Sequence, residues 1–177
     1  MRIEQLRREF DLDIRWTVFP LHPETGDEGR ELADLFSGRM DIPQAMAELR
    51  TLAQDLGLPF GERTHTYNSR LAQELGKWAE LQGRGDDFRA AVYHAYFAEG
   101  SNIAHQDVLL ALCKTLDLPL PEARKVLAER LFASAVDEDW QRAYQLGVRS
   151  VPTHLYQKQA LVGFQDYAAF KGLVSGG

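Results

Sequence analysis

The residues best suited to chemistry are Val151-Pro152-Thr153, within Gly147-Val148-Arg149-Ser150-Val151-Pro152-Thr153-His154-Leu155-Tyr156, and the single cysteine, Cys113. The first stretch puts a proline where a helical pattern hands over to a strand. On its residues alone this is a proline opening a strand in the ordinary trans form, cis being about 5–6% of such bonds. Sulfur exchange needs a thiolate nucleophile and a second thiol to resolve the mixed disulfide. One cysteine supplies no such pair and no internal disulfide framework. Cys113 shares a helical stripe with Leu109, Leu112 and Leu116, which predicts inert packing rather than a reactive thiol. His22, His65, His94, His105 and His154 show no metal-ligand spacing, so no metal or zinc site is expected. No Gly-rich phosphate loop, Gly-x-Ser-x-Gly elbow or kinase or Rossmann signature is present, and no cofactor is implied.

The elements that must position these residues change period twice. Ile3, Leu6 and Phe10 mark a short amphipathic helix without an N-cap. Ile14, Trp16 and Val18 alternate against Arg15 and Thr17, which predicts a strand over 13–19 that Pro20 ends, followed by a loop through Gly26. From 41 to 146 the pattern is helical. Its stripes are Met46-Leu49-Leu52-Ala53-Leu56, Leu71-Leu75-Trp78-Ala79, Phe88-Val92-Ala95-Tyr96, Val108-Leu109-Leu112-Leu116, Val126-Leu127-Leu131 and Trp140-Tyr144, the last closed by Gly147. Asn68 reads as the N-cap of the second of these, and Trp16, Trp78 and Trp140 read as core aromatics. Residues 153–156 and 160–164 predict a β-hairpin, and Asp166 caps a last helix through Val174. The order is that of a mixed α/β fold with an α-helical insertion.

Composition narrows the function classes. With 45% hydrophobic and 26% charged residues in 177, the chain buries a sizeable core. Its net charge of −6 is spread without a basic stripe, so neither nucleic acid nor an anionic membrane is expected as partner. No apolar run reaches the ~18 residues of a transmembrane helix. The N-terminus is charged and lacks an apolar core, so no signal peptide is expected, and a cytoplasmic location follows.

Three stretches in order carry a resemblance. They are Ile14-Arg15-Trp16-Thr17-Val18-Phe19-Pro20-Leu21-His22-Pro23, then Asn68-Ser69 leading through Trp78-Ala79 to Tyr96-Phe97-Ala98-Glu99-Gly100, then Leu146-Gly147-Val148-Arg149-Ser150-Val151-Pro152-Thr153. Together they resemble the DsbA-like thioredoxin-fold proteins, and among them the FrnE-like branch of thiol-disulfide oxidoreductases. The resemblance implies an α/β thioredoxin-like fold of DsbA type with a large helical insertion. Residues 1–40 and 147–177 would form the thioredoxin-like core, and 41–146 the inserted α-helical domain. It also implies a cis Val151–Pro152 bond, a substrate-binding edge at Val151, Pro152 and Thr153, with Phe19 and Pro20 nearby, and a place for Asn68 toward the active-site cleft. Ala72-Gln73 stands where family members often have Ala-His.

The family begins with a β-strand and then a Cys-x-x-Cys motif, whose thiolate gains from the dipole and N–H groups of a helix N-terminus. Here Met1 falls past that motif, so the expectation is a chain begun at an internal methionine, without its first strand. The alternatives are two strands closing on each other, or a strand borrowed from a second molecule. No catalytic residue is assigned, and the chain as written is expected to be inactive. The partners implied are protein or small thiol and disulfide substrates, with a homodimer the oligomer that open strand edges favour. A redox-dead module binding extended peptides is the alternative. A relative of the glutathione-dependent isomerases of this fold, with serine for the nucleophilic cysteine, is a third.

Overall fold

The computed structural model describes residues 2–176. In chain order its elements are α1 (Arg2–Glu9), β1 (Arg30–Glu31), α2 (Leu32–Leu35), α3 (Ile42–Asp55), β2 (His65–Thr66), α4 (Arg70–Leu81), α5 (Gly85–Phe97), α6 (Gln106–Thr115), α7 (Leu120–Glu129), α8 (Ala133–Gln145), β3 (Thr153–Tyr156), β4 (Gln159–Val162) and α9 (Tyr167–Ser175). The chain forms two compact units, one of Met1–Leu21 with Glu138–Gly177 and one of His22–Asp137. This division falls at 21/22 and 137/138 rather than at 40/41 and 146/147. Residues 22–40 join the helical unit because they bond to it: the Leu32 N–H donates to the Thr64 carbonyl at 2.8 Å, and Arg30 and Glu31 pair antiparallel with Thr66 and His65.

In the helical unit, the apolar stripes of α4, α5, α6 and α7 close on one core. Leu75, Trp78 and Ala79 of α4 meet Phe88 and Val92 of α5, Leu109 and Cys113 of α6, and Ala123, Val126 and Leu127 of α7. α4 is the central helix, packing on α5, α6 and α7. α3 starts as its sequence requires, with the Asp41 carboxylate accepting from the Gln44 N–H at 3.0 Å and proline in the first turn. Its stripe is less covered than expected, since Ala53 is buried while Leu49 and Leu56 are exposed. Inside this unit lies a buried carboxylate, Glu74 of α4. Arg130 grips both of its oxygens, Nε to Oε2 at 2.7 Å and Nη2 to Oε1 at 2.6 Å, and Arg70 Nε adds a bond to Oε1 at 2.6 Å. Arg70 also pairs with Asp137 at 2.7 Å and donates to the Ala133 carbonyl, fastening the first turns of α8.

The second unit holds α1, residues 11–21, the later turns of α8, the β3–β4 hairpin and α9. Residues 13–19 form no strand, because among the described residues no neighbouring strand pairs with them. Their backbone is tied instead to a buried helix carboxylate. The Val18 N–H donates to Asp139 Oδ2 at 3.0 Å, and Arg15 reaches Oδ1 at 3.3 Å. Of the three tryptophans, Trp78 is core, Trp140 is half-buried, and Trp16 is exposed. The hairpin has the register Thr153↔Val162, His154↔Leu161, Leu155↔Ala160 and Tyr156↔Gln159. Its two-residue turn, Gln157-Lys158, holds Gln157 at φ +53°, so β4 starts one residue before the expected 160. α9 is capped by Asp166, whose carboxylate accepts from the Ala169 N–H at 2.8 Å, and it buries Phe170 and Leu173. α1 lies on α9, with Glu9 paired to Lys171 at 3.3 Å.

Candidate functional site

The site grows from the hairpin's ladder. A two-residue turn makes Tyr156 and Gln159 a hydrogen-bonded pair, and in antiparallel pairing such pairs alternate. His154 therefore faces Leu161, and the Gly163 N–H donates to the Pro152 carbonyl at 2.8 Å, in phase with that alternation. The backbone groups of Val151, Thr153 and Leu155 then point to the other edge of β3. Among the described residues no strand pairs with that edge. The Val151–Pro152 peptide is cis. Val151 and Pro152 are exposed, and the Thr153 hydroxyl closes the turn by donating to the Ser150 carbonyl at 2.6 Å.

Alternation also sorts the side chains. Thr153 and Leu155 of β3 share a face with Ala160 and Val162 of β4, and Leu155 and Val162 are 43% and 50% exposed. This face is apolar apart from Thr153, carries no charge, and adjoins the unpaired edge. An arrangement of this kind has the groups to accept an extended segment through main-chain hydrogen bonds and alternate side-chain contacts. The opposite face turns to α9, where the His154 ring meets Phe170 edge-on with centroids 4.7 Å apart. The period-2 pattern of the sequence puts His154 on the face opposite Thr153 and Leu155, the signal for its place against α9.

The other expected site residues make contacts of their own. Phe19 stands edge-on to Tyr144, with centroids 5.9 Å apart, and Pro20 is buried. Asn68 lies in the helical unit, one residue before the N-cap position of α4, which is Ser69. Its Oδ1 accepts from the Arg70 N–H at 2.9 Å and its Nδ2 donates to the Thr25 carbonyl at 2.7 Å, so it staples the 22–29 loop to the helix start. His22 pairs with Glu24 at 3.6 Å. No cluster of three potential metal ligands occurs among the described residues, nor is any of their helices long and apolar enough to cross a membrane.

Cys113 is a free thiol with no solvent exposure, and burial pushes its pKa up to about 11. At neutral pH it offers almost no thiolate. A thiol reagent added to the native protein should therefore label Cys113 only as fast as the helical unit opens. Labelling complete within seconds of mixing, without denaturant, would contradict this burial.

Residues 1–175 match the family described as the DSBA-like thioredoxin domain. The chain belongs to that family. A probable DsbA oxidoreductase of Streptomyces coelicolor superimposes with a TM-score of 0.85 at 25% identity, the match covering 98% of this chain and 81% of that one. The fold is thus the DsbA-like thioredoxin fold, mostly helical. A 2-hydroxychromene-2-carboxylate isomerase shares it with a TM-score of 0.73 at 17% identity, over 99% of this chain and 84% of that one. The uncharacterized protein YwbO of Bacillus subtilis is 24% identical over 169 residues, which cover 93% of this chain and 82% of that protein. In this DsbA-like domain the open edge of β3 begins at Val151-Pro152-Thr153.

Proposed function

We propose that this chain is a FrnE-like thiol-disulfide oxidoreductase domain whose β3 edge at Val151, Pro152 and Thr153 receives polypeptide in extended form. The unpaired edge beside an uncharged apolar face carries this reading. Backbone pairing supplies affinity without demanding one sequence, which suits protein substrates presenting a thiol or disulfide. Cys113, buried and weakly acidic, cannot act as the nucleophile, and the chain has no second cysteine to resolve a mixed disulfide. In this form the domain binds such substrates and does not turn them over. A reducing cytoplasm is the compartment consistent with one free thiol.

Two measurements test this. The purified chain should reduce insulin disulfides no faster than the uncatalysed background, and activity above it would end the claim of inactivity. A fluorescent, extended apolar peptide should bind the native chain, and Leu155→Lys, which puts a charge on the exposed face, should weaken binding about tenfold, ~1.4 kcal/mol. Equal binding by the variant would remove the edge from the reading.

A further inference from the structure

His154 links the candidate edge to its support. It follows Pro152-Thr153 on β3, and its ring lies on Phe170 of α9, itself 5% exposed. Its Nδ1 is buried and has no hydrogen-bond partner among the described residues. A neutral imidazole tolerates that position at modest cost. An imidazolium does not, because it carries two N–H donors and a charge, and a buried charge without a partner is far more costly.

Apart from the Leu161 backbone, the surrounding elements offer no free carboxylate among the described residues to offset such a charge. β4 has no titratable side chain, and β3 adds only Tyr156. α9 contributes Tyr167 and Lys171, and Lys171 pairs with Glu9 of α1. Arg2 of α1 lies 4.2 Å from the Phe164 ring, just past β4. Asp166, the carboxylate at the start of α9, is engaged as its cap.

We propose that the His154–Phe170 contact is a proton-operated latch: the neutral ring seats β3 on α9, and protonation loosens the hairpin and disorders the Val151-Pro152-Thr153 edge. Burial holds the imidazole below the ordinary histidine range, against a smaller upward pull from the Leu161 backbone. The folded state thus binds the proton less readily than the unfolded state. The stability of the contact is complete above the ordinary histidine value of about 6.5 and is lost as pH falls below it. This regulation rests, for its functional meaning, on the reading of the edge as a peptide site.

Amide hydrogen exchange on the full chain at pH 7.5 and 5.5, corrected for intrinsic rates, reads the latch directly. Segment 153–162 should lose protection at pH 5.5. His154→Phe, which keeps a ring against Phe170 but cannot be protonated, should hold the same protection at both values. In the unsubstituted protein the His154 ring protons, followed by NMR, should titrate below the ordinary histidine value, which keeps the test independent of whether the variant folds. Unchanged protection in the unsubstituted protein, equal loss in His154→Phe, or titration at or above the ordinary value would overturn the latch. Binding of the fluorescent peptide should weaken at pH 5.5 in the unsubstituted protein alone. Absence of binding at both values, with the exchange change intact, would discard the peptide site and leave the latch standing.

Discussion

Replacing Glu74 by Ala is expected to destabilise the helical unit by about 3–5 kcal/mol, the cost of breaking a buried ion pair from one side. The carboxylate has no solvent exposure and receives three hydrogen bonds from two guanidinium groups. Without it Arg130 loses its bidentate partner, while Arg70 keeps Asp137 and the Ala133 carbonyl. Glu74→Gln should fall between, retaining an acceptor but no charge. Urea unfolding at neutral pH measures both, and a loss below about 0.5 kcal/mol for Ala, the level of an ordinary surface change, would refute the assignment. The pH dependence follows from the same contacts. Burial alone would push the Glu74 carboxyl up, but the hydrogen bonds from Arg130 and Arg70 and their charges hold it below the usual carboxylate range. Its contribution is therefore full above the ordinary value of about 4.3 and is lost as pH falls below that value through the lowered one. Removal of Glu74 should flatten that part of the acid-unfolding profile.

How far the sequence foretold this molecule depends on where the determining information lies. α3 was legible because the stripe Met46-Leu49-Leu52-Ala53-Leu56 and the glycine that ends it act within a few residues; Gly57 has φ +65°. The β3–β4 hairpin and α9 were legible for the same reason. The segment 13–19 was not, because a strand is a property of a pair. Alternation of Ile14, Trp16 and Val18 predicts a strand, but no strand forms there: the segment is tied to Asp139 instead of a ladder, and Trp16 is exposed. β1 and β2 are two residues each, too short for any period, yet their pairing moves residues 22–40 into the helical unit. At the candidate site, Val151-Pro152-Thr153 stood out through its proline. The part of His154 depends on which face α9 covers, and the staple made by Asn68 depends on a carbonyl 43 residues earlier.

The segment before residue 22 should be held in place largely by Asp139, so Asp139→Ala is expected to cost about 1–3 kcal/mol, the penalty for stranding a polar group that had a charged partner. Asp139 is 2% exposed and lies on α8, and alanine favours a helix, so helix propensity cannot supply the loss. Its bonds to Arg15 and to the Val18 N–H differ in worth. Arg15 is well exposed, and its pairing is screened by water and salt, so it contributes little. The Val18 N–H, half-buried and without a ladder, depends on the carboxylate. Asp139→Asn keeps an acceptor for that N–H and should lose less than Ala, while Arg15→Ala should lose about 0–1 kcal/mol. Limited proteolysis separates a local effect from a global one. If Asp139 anchors the segment, Asp139→Ala is cleaved within 11–21 before the helical unit unfolds. If cleavage of the variant and the unsubstituted protein starts at the same sites and rates, the anchor is not Asp139.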